Sequence, residues 1–183
     1  MKKLFISLLF CSFFSLSVMA QKTEHFFYQE LPGWLILGEK DNDKKLLICS
    51  METGIKNKNV LDFGYTFIEG YFYLVISSEN LNLQGLIENQ RYEARLSLVM
   101  QDGKIESAPA GFVKLNDNTV MIPHVIPEAF FPYFLNSKIV KIDLPQNRGS
   151  TEISVPLLKE SFRILGDCAD KAQNIIKNKE QGI

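Results

Sequence analysis

From Tyr92 to Ile122 the chain runs in alternating apolar and polar residues, broken twice by short turn-forming clusters: YEARLSLVM, QDGK, IESAPAGFVKL, NDN and TVMI. Tyr92, Ala94, Leu96 and Leu98 fall on one side of an extended chain, and Glu93, Arg95 and Ser97 on the other. That period of two belongs to half-buried strands and to no helix. Asp102-Gly103 supplies residues that tolerate φ > 0 for a tight hairpin, and Asn116-Asp117-Asn118 forms a second turn cluster. The stretch is an antiparallel meander, and its residues are those of a scaffold rather than an active site.

The flanking sequence extends the pattern. Pro32-Gly33 punctuates the chain ahead of a strand at Trp34–Leu37, Glu39–Lys45 is a polar turn, and Leu46–Met51 is a second strand carrying Cys49. Asp41-Asn42-Asp43 reads as a solvated hairpin tip, because a calcium loop would need further ligands and a closing carboxylate. LDFGYTFIEG leads into Tyr71–Ile76, whose near-continuous apolar run suits a strand covered on both faces. Ser77–Gln90 is compatible with a strand, a bulge at Gly85 or a short turn, and Gln21–Leu31 is an aromatic lead-in without a clear period. Pro127 and Pro132 frame a helix of one or two turns. Val140, Ile142 and Leu144 alternate again, and Ile153–Val155 forms a last strand. A single long helix is predicted at about 160–178, where Phe162, Leu165, Cys168 or Ala169, Ala172 and Ile175-Ile176 recur at intervals of three and four, with Cys168 on or beside the stripe. Gly166 is expected to mark a close approach of this helix to a strand. The fold class is all-β: one domain, 21–183, built as an antiparallel β-sandwich or curled sheet of seven to nine strands with a C-terminal α-helix packed on it.

The first twenty residues set the compartment. Lys2 and Lys3 precede an apolar segment from Leu4 to Val18, and Val18-Met19-Ala20 places small residues at −3 and −1. This is the tripartite form of a secretory signal peptide, with cleavage expected after Ala20, and the apolar run is shorter than the ~20 residues that span a bilayer. Without Lys2 and Lys3, 18 basic residues face 21 acidic ones, a formal charge of −3. That balance, with no basic block, excludes nucleic acid as a partner, and no later segment is apolar enough to span a membrane. Cys49 and Cys168 are the two cysteines left after cleavage. In an oxidising periplasmic or extracellular space, an even pair with no CxxC spacing points to a disulfide.

Motifs of catalysis and ligation are missing: no HExxH, GxSxG, phosphate-cradling glycine loop or Cys/His cluster is present. No catalytic residue, cofactor or metal is therefore assigned. His25 and His124 are the available imidazoles, each more simply read as a loop histidine bonded to nearby backbone. Glu88 and Glu93 do not stand out from solvated surface acids. The better lead is the aromatic cluster Phe130, Phe131, Tyr133 and Phe134, a possible interaction surface, since aromatics dominate the desolvated centres of interfaces. The competing reading makes the same residues a plug for one end of the sheet.

Gly33-Trp34, a β-rich body, the short apolar helix from Pro127, a following strand and the run VPLLKESFRIL into the terminal helix resemble the invasion-associated locus B family. That resemblance implies a small exported bacterial protein with a β-sandwich-like body whose last strand leads into a packed helix. It also implies a place in the envelope or outside the cell, with a role in host contact, and brings no catalytic residues with it. The expected function is a non-catalytic binding protein with an unknown protein partner. The alternatives are an inhibitor or immunity protein against an envelope-degrading enzyme, and an enzyme of unrecognised type.

Overall fold

The computed structural model describes residues 23–41, 46–54, 58–125 and 127–180. The N-terminal segment read as a signal peptide, most of the Asp41–Asp43 tip and part of the Gly54–Asn59 loop lie outside them. The described chain forms ten strands and two helices. The strands are β1 (Glu24–Leu31), β2 (Trp34–Asp41), β3 (Leu46–Thr53), β4 (Asn59–Thr66), β5 (Tyr71–Ser78), β6 (Arg91–Met100), β7 (Ile105–Asn116), β8 (Thr119–Val125), β9 (Ser137–Asp143) and β10 (Ser150–Ser154). Helix α1 (Pro127–Phe134) joins β8 to β9, and α2 (Leu158–Glu180) ends the chain.

All ten strands belong to one antiparallel sheet in the order β1-β2-β3-β4-β5-β8-β7-β6-β9-β10. This is the expected antiparallel architecture with a terminal helix, with more strands than the seven to nine expected. The aromatic lead-in accounts for part of the excess. It is β1, an edge strand whose bulge between His25 and Phe27 breaks the period of two.

Strands β1 to β5 pair in sequence. The β6–β8 meander then lies reversed, with β8 against β5, so residues 79–90 must cross the ends of two strands. They do so as turns rather than a strand. Leu81 and Leu83 are fully buried, Asn118 donates to the Leu81 carbonyl at 2.8 Å, and the buried Lys114 ammonium bonds the Leu86 carbonyl at 3.3 Å and Asp117 at 2.6 Å. Helix α1 makes the second crossover, carrying the chain from β8 to β9 at the far side of the meander. It ends where Asn136 Nδ2 caps the Pro132 carbonyl and Ser137 Oγ caps that of Phe134. The sheet curls until β10 meets the end of β4, with Ile153 beside Gly54.

Helix α2 covers the core face of β1, β2 and β3. Its buried stripe is Leu158, Ser161, Leu165, Cys168 and Ala172, and Lys171 lies 4.9 Å from the centre of the Phe27 ring. Cys168 is disulfide-bonded to Cys49 on β3, with Cα atoms 6.0 Å apart. Gly166 does not approach a strand: it is exposed, and a Cβ there would meet nothing within 4 Å.

The bridge closes a sequence separation of 119 residues, which corresponds to about 4–5 kcal/mol of stabilisation in the chain-entropy description. Reduction should lower the melting temperature and release α2 first, visible as lost helical circular dichroism with the β signal retained. Gly166→Ala should raise stability by about 1 kcal/mol in urea denaturation, because a helical glycine over open space carries only its entropic penalty.

Candidate functional site

The aromatic cluster singled out in the sequence is mostly interior. Phe134 is fully buried, and Phe130 and Phe131 are half-buried against the core; only Tyr133 is exposed. Their rings surround Phe63 of β4, with centroids 6.2, 5.6 and 5.5 Å away for Phe130, Phe131 and Phe134. The cluster as a whole is thus a plug, not an open docking surface. The apolar face of so short a helix carries no sign of whether it turns in or out. His25 is exposed, with Nδ1 3.6 Å from Glu39. His124 lies on another strand, exposed at φ 55° with its ring 4.4 Å from that of Tyr71. Glu88 and Glu93 are both exposed.

What the fold builds instead is a cleft of about 580 Å³ at the end of the sheet where β10 curls toward β4. The Pro32-Gly33 turn forms one rim. Gly33 sits at φ +87°, and a side chain there would strike the Pro156 ring, so the turn closes tightly on the link between β10 and α2. The Trp34 indole N–H donates to the Pro156 carbonyl, and Thr53 Oγ1 donates to that of Gly33. These bonds fasten β2, β3 and the chain after β10 to one another. Leu31, Leu35, Ile153 and Pro156 give the cleft apolar walls; Glu30, Glu52 and Glu152 give it carboxylates, and among the described residues no Lys, Arg or His lines it. Glu30 accepts a hydrogen bond from the Tyr28 hydroxyl, and Glu152 lies 3.6 Å from Lys141.

Glu52 continues into a polar row on the sheet face opposite α2. The register sets Glu30 beside Leu35, Leu35 beside Glu52, and Glu52 beside Asp62. The Asp62 carboxyl accepts hydrogen bonds from the Ser50 and Tyr73 hydroxyls, yet Oδ1 is buried without a donor. The Tyr73 phenol reaches this position by lying across Gly64, where any side chain would collide with it. Burial first, then the negative field of Glu52, push the Asp62 carboxyl up to about 7 against the two hydroxyl bonds that favour its charged form. Burial and then the charge of Glu39 raise Glu52 as well, and Tyr73 is raised by burial and then by Asp62.

Comparison with protein-family models, curated proteins and solved structures finds no match for this chain.

Sequence reasoning missed both the cleft and the row. A faint signal for Asp62 exists in the run LDFGY, where one acid interrupts an apolar strand. Its neighbours Ser50, Glu52 and Tyr73 lie on other strands and come together only through the register.

Asp62 makes stability depend on pH with a definite sign. The folded state holds a proton that the unfolded chain releases near 3.8, so the contribution is full below that pH and lost as pH rises through about 7. The difference of about three units corresponds to on the order of 4 kcal/mol. Asp62→Asn should therefore flatten the fall in urea midpoint between pH 4 and 8 and be more stable than the parent at pH 8.

Proposed function

We propose that this is an exported, non-catalytic binding protein of the bacterial envelope, acting in the periplasm or outside the cell, and that it engages its partner through the cleft beneath the Pro32-Gly33 turn. The observation that carries the reading is the cleft itself. Its volume falls in the range of ligand sites, and its lining combines apolar walls with a few fixed polar groups. The groups around it are arranged to hold rather than to react. The Thr53 hydroxyl is committed to the Gly33 carbonyl, and both described imidazoles stand on strand positions away from the lining. Export is supported by the tripartite Met1–Ala20 segment, the likeness to the invasion-associated locus B family and the Cys49–Cys168 bridge, which suits an oxidising compartment. Among the described residues, no helix is long and apolar enough to cross a membrane.

Ser154 lies on the exposed rim of the cleft, so Ser154→Trp should fill it without disturbing the core. Mature protein used as bait in envelope extracts should capture a partner that Ser154→Trp loses and Ser154→Ala retains, with melting temperatures unchanged. Equal capture by all three proteins would overturn the cleft as the binding site.

A further inference from the structure

We propose that the cleft takes an organic cation, an ammonium or guanidinium group on an apolar stem, with Glu52 as its charge partner. This rests on the cleft being the binding site and names the class of ligand it accepts.

The first observation is the lining. Of the three carboxylates, Glu30 is engaged by Tyr28 and Glu152 by Lys141, whereas no ion pair or hydrogen bond reaches the half-buried Glu52 among the described residues. The second lies behind it. Asp62, the cross-strand neighbour of Glu52, has a carboxylate oxygen enclosed by protein with no donor. A charged Glu52 is an unfavourable cross-strand neighbour for any negative charge on this carboxyl, and a buried acceptor without a donor is rare enough in folded proteins to need a reason. A cation seated on Glu52 offsets the repulsion on the face the two acids share.

The third observation is the shape. The carboxylates do not converge on a point: among the described residues no group of three His, Cys, Asp or Glu could hold a metal ion. The charged side of the cleft stands against Leu31, Leu35, Ile153 and Pro156, which suits a ligand with one cationic end and an aliphatic body. The volume of about 580 Å³ admits more than a lone ammonium ion. The same chemistry is offered by a free alkylguanidine or alkylamine and by an Arg or Lys side chain on a protein partner.

Isothermal titration of the mature, disulfide-bonded protein separates these cases. The probes are butylguanidine with its neutral counterpart butylurea, and a capped Leu-Arg-Leu tripeptide with capped Leu-Gln-Leu. At least one cationic probe should bind about tenfold or more tightly than its neutral counterpart, and Glu52→Gln should remove about that much affinity. Glu24→Gln, on an exposed residue of β1 outside the cleft, should leave it unchanged. Tight binding confined to the tripeptide identifies a side chain presented by a protein; equal binding of butylguanidine identifies a free small cation. A melting curve establishes that Glu52→Gln is folded, as removing one of two facing acids predicts. Equal affinity for charged and neutral probes, no binding of either cation, or an unaffected Glu52→Gln would overturn the proposal. If Ser154→Trp still loses the envelope partner in that event, the cleft stands as the site and only the ligand class falls. If Ser154→Trp keeps its partner, the cleft itself is not the site.

Discussion

Phe63 is the point on which the parts of this molecule meet. Its ring lies 5.7 Å from Phe72 on β5, 5.6 Å from Phe131 and 5.5 Å from Phe134 on α1, and 5.2 Å from Phe162 on α2, centre to centre. One fully buried side chain thereby joins the sheet to both helices. Aromatic pairs at such separations add directional preference to the area they bury, so the contacts orient the helices as well as hold them. The consequences propagate along the chain. Anchoring α1 fixes where the crossover from β8 ends, which places β9 beside β6 and β10 at the edge that curls back toward β4. The cleft exists because that curl is completed.

The disulfide acts on the same core from the other end. Cys49 shares its face of β3 with Met51, the cross-strand neighbour of Phe63, and Cys168 lies in the buried stripe of α2. The aromatic contacts set the N-terminal half of α2, and the covalent bond fixes its middle. This pairing was legible in the sequence because its premises are local: an N-terminal segment that reads as an export signal, two cysteines beyond it and a helical stripe on or beside which Cys168 falls. The β6–β8 hairpins were legible for a similar reason, since Asp102-Gly103 and Asn116–Asn118 specify turns between immediate neighbours.

What could not be read depended on distant pairing. Edge strand β1 hides its character because one face is open to solvent and a bulge at Phe26 interrupts the alternation. Residues 79–90 look like a damaged strand because Leu81 and Leu83 are spaced as in one. They are core plugs in a turn held by Asn118 and Lys114 from other parts of the chain. Gly166 shows the limit of reading glycine as close contact, since here it faces open space. The acidic row is the extreme case. Glu30, Glu52 and Asp62 are unremarkable one at a time, and only the registers of three strand pairs bring them onto one line.

The row also opposes the rest of the fold energetically. Phe63, the disulfide and the α2 stripe stabilise the core face of the sheet, while Asp62 imposes a cost on the opposite face of the same strand. An apolar residue at 62 would remove the unsatisfied oxygen and the repulsion with Glu52. The strand instead keeps an acid there, with Tyr73 laid over Gly64 and Ser50 beside it to hydrogen-bond the carboxyl. A phenol and a hydroxyl committed to one carboxyl form a specific arrangement, yet one that leaves Oδ1 without a donor. The low dielectric that makes Asp62 costly also lets a charge on Glu52 act on its surroundings with less screening than at an open surface. Departures from internal consistency in a fold concentrate where it binds or reacts. In this molecule the departure lies one strand from the cleft, and the disulfide-braced aromatic core is what keeps the sheet folded in spite of it.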